Sequence, residues 1–311
     1  VGGKDKEKVA DYMLTFKAIE LEDREVINSY LKNQNYRASD LCFTNLYSWG
    51  KKFNTQFAAA NGWLFIRFKD NYDRNSYLKP IGEGDTREGI EMIIEDHAQF
   101  DSVFQIRGAT KEMITEIEQA FPGRFDYNLN RSVSDYIYTT EKLIHLKGKK
   151  LQSKRNHINR FKRENQWEYQ SLAGNPSLVE ASKRALDRWM ELNSQDKDPT
   201  LVYDDFATTL MLEHFDYLEL SGGAILVDNE VIAFTIGEPL TEDTFIVHVE
   251  KAFTSVHGAY TIINQEFVKN EASGFMYVNR EEDMGMENLR RAKLSYQPDI
   301  LLEKYNARFK T

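Results

Sequence analysis

Three stretches of the chain hold residues whose types and spacing suit chemistry. The first, Lys147 to Arg163, carries eight Lys and Arg and no Asp or Glu. The 311 residues have a net charge of −9, so the remainder stands at −17 (−9 minus 8). The acidic total argues against a general nucleic-acid surface, and a basic island within it points to one bounded anionic ligand. At 100° per residue, Leu151, Ile158 and Phe161 fall on one stripe, the packing face of a helix. Lys154 shares that stripe and must snorkel or enter a polar pocket. Lys150, Lys154 and Arg155 are the candidate contacts to phosphate or carboxylate. The plainer alternative is a solvated helix covering the second half of the chain.

The second stretch is Glu250-Lys-Ala-Phe-Thr-Ser-Val-His-Gly-Ala-Tyr260. A strand ending at Lys251 and a helix starting near Gly258 would set backbone N–H groups beside a sheet, a natural anion site. The third runs from Asn279 to Pro298, again from strand into helix, at a sheet edge where α/β proteins commonly bind ligands. Leu289, Ala292 and Tyr296 are expected on its buried stripe, with Arg290 and Lys293 alongside. Asp283 has three readings: a helix cap, a partner of Arg290, or a base. Elsewhere the chemistry is thin. Gly82-Glu-Gly-Asp-Thr-Arg-Glu-Gly89 fits neither a dinucleotide fingerprint nor a P-loop, and its acidic residues would repel phosphate. The six histidines form no His-Glu-x-x-His, no Gly-x-Ser-x-Gly is present, and the single Cys42 reads as core. No metal site is expected.

These stretches need elements to position them. Residues 1–12 read as a flexible tail. A helix is expected from Asp23, and a second capped by Asp40. Asn61-Gly62 marks a hairpin between Phe53–Ala59 and Trp63–Phe68. A strand at Ser76–Lys79, a helix at Thr86–His97, a strand at Val103–Ile106 and a helix at Lys111–Ala120 follow. The second half repeats the order: a hairpin about Asp228-Asn229, a strand at Phe245–Lys251, a helix at Gly258–Asn270, a strand at Phe275–Val278 and a helix at Glu287–Ser295. Turn-to-helix spacing is 25 residues from Asn61 to Thr86 and 29 from Asn229 to Gly258. Two copies of one unit explain the length. The order resembles the acetyltransferase-like (GNAT) fold, so the expected class is α/β with mixed sheets in two tandem units, 13–143 and 144–311. Acetyltransferases hold coenzyme A with Gln/Arg-x-x-Gly-x-Gly/Ala. Ser255-Val-His-Gly258-Ala-Tyr260 keeps one glycine of that pattern, which makes acyl-CoA the less favoured donor.

Leu146-Lys-Gly-Lys-Lys-x4-Arg155-x5-Phe161, Glu250-Lys251 with Gly258-x-Tyr260, and Asp283-x-Gly285-x3-Leu289-Arg290-x2-Lys293-x4-Pro298 together resemble the C-terminal domain of phosphatidylglycerol lysyltransferases. The resemblance covers roughly Phe16 to Arg308. It implies tandem acetyltransferase-like domains that move an aminoacyl group from a charged tRNA to an acceptor. The acceptor would be a small molecule, a peptide or a lipid headgroup. Glu250 or Asp283 would be the base. Lys150, Lys154, Arg155, Gly258, Tyr260, Arg290 and Lys293 would hold the donor or another anion. No tightly bound cofactor is implied. No apolar run approaches the ~20 residues of a membrane span, so a cytoplasmic protein without integral membrane association is expected. The alternative is a non-catalytic module binding an anionic small molecule or an RNA end.

Overall fold

The computed structural model describes residues 14–193 and 199–310, and the tail expected over residues 1–12 lies outside them. The fold is mixed α/β, built on two mixed sheets. The first sheet runs in the order Lys17–Ala18, Gln56–Ala60, Trp63–Lys69, Asn75–Tyr77, Gln105–Ala109, Tyr305–Phe309, Phe125–Leu129, with Ile81–Gly82 also on Trp63–Lys69. The second runs Ile300–Leu302, Asp135–Thr139, Tyr277–Asn279, Thr244–Ala252, Glu230–Pro239, Ser221–Val227, Trp167–Ser171. Two strands lie across the boundary expected at 143/144. Asp135–Thr139 pairs in the second sheet, and the last strand, Tyr305–Phe309, pairs in the first between Gln105–Ala109 and Phe125–Leu129.

Local chemistry sets the elements. Asn61 and Gly62 have φ of 51° and 79°, and Asp228 and Asn229 have 50° and 64°. Left-handed pairs of this kind close two-residue hairpins, because their twist matches that of the strands they join. The helices Thr86–His97 and Lys111–Ala120 start as expected: Asp85 accepts from the Arg87 amide and Thr110 from the Met113 amide. Asp40 does not cap. The helix Phe43–Ser48 begins after Cys42, and Asp40 pairs instead with the buried Lys304. The glycine-rich turn about Gly82 is structural for a visible reason. A Cβ on Gly82 would lie 2.7 Å from the Trp63 ring, and one on Gly84 or Gly89 would lie 3.0 to 3.1 Å from it.

The second half supplies the frame for the site. Its hairpin is followed by the strand Thr244–Ala252, the helix Ala259–Glu271, the strand Tyr277–Asn279 and the helix Glu287–Leu294. The basic island forms a 3-10 turn, Lys149–Leu151, and the helix Gln152–Glu164. Leu151, Ile158 and Phe161 are buried on its inner face. Among the described residues, no helix is long and apolar enough to cross a membrane.

Candidate functional site

The strands Thr244–Ala252 and Tyr277–Asn279 are parallel, and their pairing ends at Ile246 and Asn279. The longer strand runs on to Ala252, so a gap opens between them. Glu250 and Arg280 meet in that gap, where Arg280 Nη2 donates to Glu250 Oε1 at 2.9 Å. Their side chains are only 14% and 10% exposed. Asn264, from the helix Ala259–Glu271, donates to Glu250 Oε2 at 2.9 Å. The Arg280 guanidinium lies 4.7 Å from the Tyr296 ring and 5.7 Å from the Tyr138 ring. Lys154 also lies against the Tyr296 ring, its ammonium 4.2 Å from the centroid.

The polar groups of this cluster are not all satisfied. Arg280 Nη1 and Asn264 Oδ1 are buried without a hydrogen-bond partner. The Lys154 ammonium has no ion-pair partner among the described residues. Burial holds the Lys154 pKa below the ordinary lysine value and the Arg280 charge pushes the same way, with Glu250 pulling against both. Burial would lower Arg280 too, but Glu250 beside it keeps it raised. Burial pushes the Tyr296 hydroxyl up to about 12. An orphaned donor on Arg280 and a half-buried ammonium without an ion-pair partner, both against the Tyr296 ring, are the electrostatic profile of an anion pocket.

Gly258 and Tyr260 border this cluster. Gly258 has φ +86°, and a Cβ there would meet the His157 carbonyl oxygen at 2.8 Å, so the island helix lies directly on the start of the helix Ala259–Glu271. Three amides there are used: Ala259 donates to the Val256 carbonyl, and Thr261 and Ile262 to that of Gly258. Tyr260 turns toward Trp189 and the Ala252 backbone, and burial raises its pKa.

The remaining expected residues sit elsewhere. Asp283 is not a cap, since Met286 holds that position. It is fully buried and takes a bidentate contact from Arg290, with Nε and Nη2 at 2.9 and 3.0 Å. It also accepts from the Tyr136 hydroxyl at 2.5 Å, from Arg131 at 3.2 Å and from the Gly285 amide at 2.9 Å. Burial pushes its carboxyl up, but the bonds from Arg290 and Tyr136 outweigh that and hold it at about 2. A carboxylate so saturated is an anchor and a poor base, and Arg290 is spent on it. Lys293 belongs to the buried stripe in place of Ala292, which is exposed. Its ammonium donates to the Arg280 carbonyl at 2.6 Å and to that of Glu282, and burial brings its pKa down to about 8. It therefore pins the backbone that carries Arg280. Arg155 donates to the Leu146 and Gly148 carbonyls and clamps the turn before the island helix. Lys150 is exposed.

The sequence reading missed Arg280, although it follows the strand directly, a position that favours ligand contact. It also missed a second cluster. Cys42 is buried as expected of a core residue, yet its thiol faces Glu238 and His248. Positions 42, 238 and 248 form no local motif, so spacing carried no signal.

Comparison with known proteins agrees with this architecture. The family described as phosphatidylglycerol lysyltransferase, C-terminal, matches residues 32–308. A solved protein of unknown function from Bacteroides thetaiotaomicron is 39% identical, with 96% of this chain and 100% of that one covered and a TM-score of 0.89. The structure of L-PGS from Bacillus licheniformis has a TM-score of 0.65 at 16% identity, covering 93% of this chain and 92% of that one. The C-terminal DUF2156 domain of a lysylphosphatidylglycerol synthetase candidate from Agrobacterium fabrum gives 0.64 at 12% identity, with the same 93% and 92% coverage. At those identities the last two show the fold alone. An uncharacterized protein of Mycoplasmoides gallisepticum is 24% identical over 192 residues, and the match spans 57% of this chain and about half, 56%, of that protein.

Proposed function

We propose, on the premise that the chain belongs to the phosphatidylglycerol lysyltransferase C-terminal-domain family, that it is an aminoacyl- or acyltransferase working at the gap that holds Glu250. One observation carries this reading: Arg280 Nη1 is orphaned there and the Lys154 ammonium has no ion-pair partner among the described residues. Together they suit a donor phosphate or the oxyanion that forms on an attacked carbonyl.

In the reaction, an acceptor amine or hydroxyl attacks the ester carbonyl of the donor. A new bond forms from the acceptor nitrogen or oxygen to that carbon, the ester C–O bond breaks, and the donor hydroxyl leaves with a proton. Glu250 is the proposed base that takes the acceptor's proton, as each of its oxygens accepts one described hydrogen bond and retains a lone pair. Asp283 is set aside for that role because its oxygens are saturated. The rest of the catalysis is positioning, with no covalent nucleophile. Lys150, exposed on the same island, would extend the contact with a long anionic donor. The loop Ser255-Val-His-Gly258-Ala-Tyr260, with one glycine of the acetyltransferase pattern and the island helix against Gly258, favours an aminoacyl-tRNA donor over acyl-CoA. The acceptor class is a small molecule, a peptide or a lipid headgroup.

Aminoacyl-tRNA and acyl-CoA donors, screened against pooled acceptors by mass spectrometry, test the proposal. Transfer should be seen with wild type and fall about 100-fold or more in Glu250→Gln. Tight tRNA binding without turnover by wild type would replace the transferase reading with that of a binding module.

A further inference from the structure

We propose that Cys42, Glu238 and His248 are the protein ligands of a divalent metal ion of the zinc class, at a site separate from the gap that holds Glu250. The three come from different elements: Cys42 precedes the helix Phe43–Ser48, Glu238 is on the strand Glu230–Pro239, and His248 is on the strand Thr244–Ala252. Their donor atoms converge. Cys42 Sγ lies 3.0 Å from Glu238 Oε1 and 3.9 Å from His248 Nε2, and Nε2 lies 2.9 Å from the same Oε1. Metal bonds of about 2.3 Å to sulfur and about 2.0–2.1 Å to nitrogen and oxygen give tetrahedral edges of about 3.3–3.6 Å. The observed triangle brackets those lengths, so an ion above its centre needs shifts of only a few tenths of an ångström.

The surroundings match a ligand set as well. Glu281 Oε1 lies 2.8 Å from His248 Nδ1 and would keep a proton there while Nε2, 2.9 Å from Glu238 Oε1, turns from that contact to an ion. Asn45 Nδ2 donates to Glu281 Oε1 at 2.7 Å and holds it in turn. The His248 side chain is fully buried and Cys42 is 5% exposed. Thiolate, imidazole and carboxylate together select a borderline-soft ion over magnesium or calcium. On binding, the Cys42 thiol proton and the Nε2 proton held against Glu238 leave to solvent as the sulfur–metal and nitrogen–metal bonds form, and no electrons are transferred. The two negative ligands then balance the divalent charge. The ion would fasten residues 39–48 to the two central strands of the second sheet. Glu281 follows Arg280 directly, so the same fastening would steady the segment that carries it.

The test uses the full chain, stripped with chelator and titrated with Co²⁺. One equivalent should bind with a thiolate-to-cobalt charge-transfer band, absent in Cys42→Ser. Glu238→Gln and His248→Gln should weaken binding by more than about tenfold. Zn²⁺ should raise the melting temperature of wild type and leave Cys42→Ser unchanged, since only a ligand of the folded state stabilises it. Lys154→Ala should titrate as wild type does, which separates this site from the proposed transferase pocket. A titration of wild type with no charge-transfer band, or an equal Zn²⁺ effect on the melting of Cys42→Ser, overturns the proposal.

Discussion

Lys154 and Arg155 are neighbours in the chain, yet their side chains meet different surroundings. The sequence alone groups them as equal anion contacts. The helix turns Lys154 onto Tyr296 beside Arg280, while Arg155 is consumed by two backbone carbonyls. Lys154→Ala should thus weaken a phosphate-rich ligand by about 10- to 100-fold, the worth of one charge-assisted contact, and barely change stability. Arg155→Ala should lower stability by about 1–3 kcal/mol. Arg163→Ala, on an exposed side chain, should do neither. Calorimetric titration and thermal melts on the three variants check this, and equal behaviour of all three would return the island to a solvated helix. Asp283 makes a second case. Its folded pKa of about 2 lies below the ordinary 3.8, so its contribution is present above 3.8 and is lost as pH falls through about 2. Asp283→Asn leaves Arg131 and Arg290 facing one another and should cost about 3 kcal/mol at neutral pH. Urea unfolding at stepped pH should show that gap closing between pH 4 and 2. A gap independent of pH would refute the assignment of Asp283 as an ionised anchor.

Elements were legible wherever a local signal set the backbone. Both hairpins rest on turn residues that accept left-handed φ, and the helices Thr86–His97 and Lys111–Ala120 rest on caps one residue before their start. The strands Phe125–Leu129, Asp135–Thr139, Ile300–Leu302 and Tyr305–Phe309 carried no comparable mark. They are three to five residues long, and most of their partners are remote in the chain. Ala292 and Lys293 show how a helical stripe can mislead by one position. Hydrophobicity favours the alanine, but the lysine is buried because two carbonyls receive its ammonium. The join between the island helix and the helix Ala259–Glu271 depends on Gly258. Gly258→Ala should destabilise by about 1–3 kcal/mol, through a left-handed φ and a Cβ pressed on the His157 carbonyl. Gly274→Ala, with open space around it, is the control. Thermal melts in which both variants behave alike would mean that the two helices do not need this contact.

At the scale of the whole molecule, Lys304 ties the two sheets into one structure. It lies just before the strand Tyr305–Phe309 of the first sheet, and its buried ammonium contacts Asp135 of the second at 2.8 Å, with Ser39 at 2.9 Å and Asp40 beside it. Lys304→Met leaves the buried Asp135 carboxylate with hydrogen bonds from Ser39 and Asn279 and without the Lys304 charge, and should cost about 3–5 kcal/mol. Hydrogen exchange should then show Gln105–Ala109 and Asp135–Thr139 losing protection together, and loss confined to one sheet would show that the tie is not cooperative. The same residue marks the limit of sequence reading. The hairpins, the helices Thr86–His97 and Lys111–Ala120, the basic island and the family motifs were all set within short windows, since backbone periodicity, caps and turns depend on neighbours a few residues apart. Only the tertiary structure decided which charges are spent and which remain available. Glu250 finds Arg280, Asp283 finds Arg131 and Cys42 finds Glu238 across 30, 152 and 196 positions. Coulombic and hydrogen-bond energies follow distance in space, and the chain folds those distances to about 3 Å without leaving a trace in the spacing.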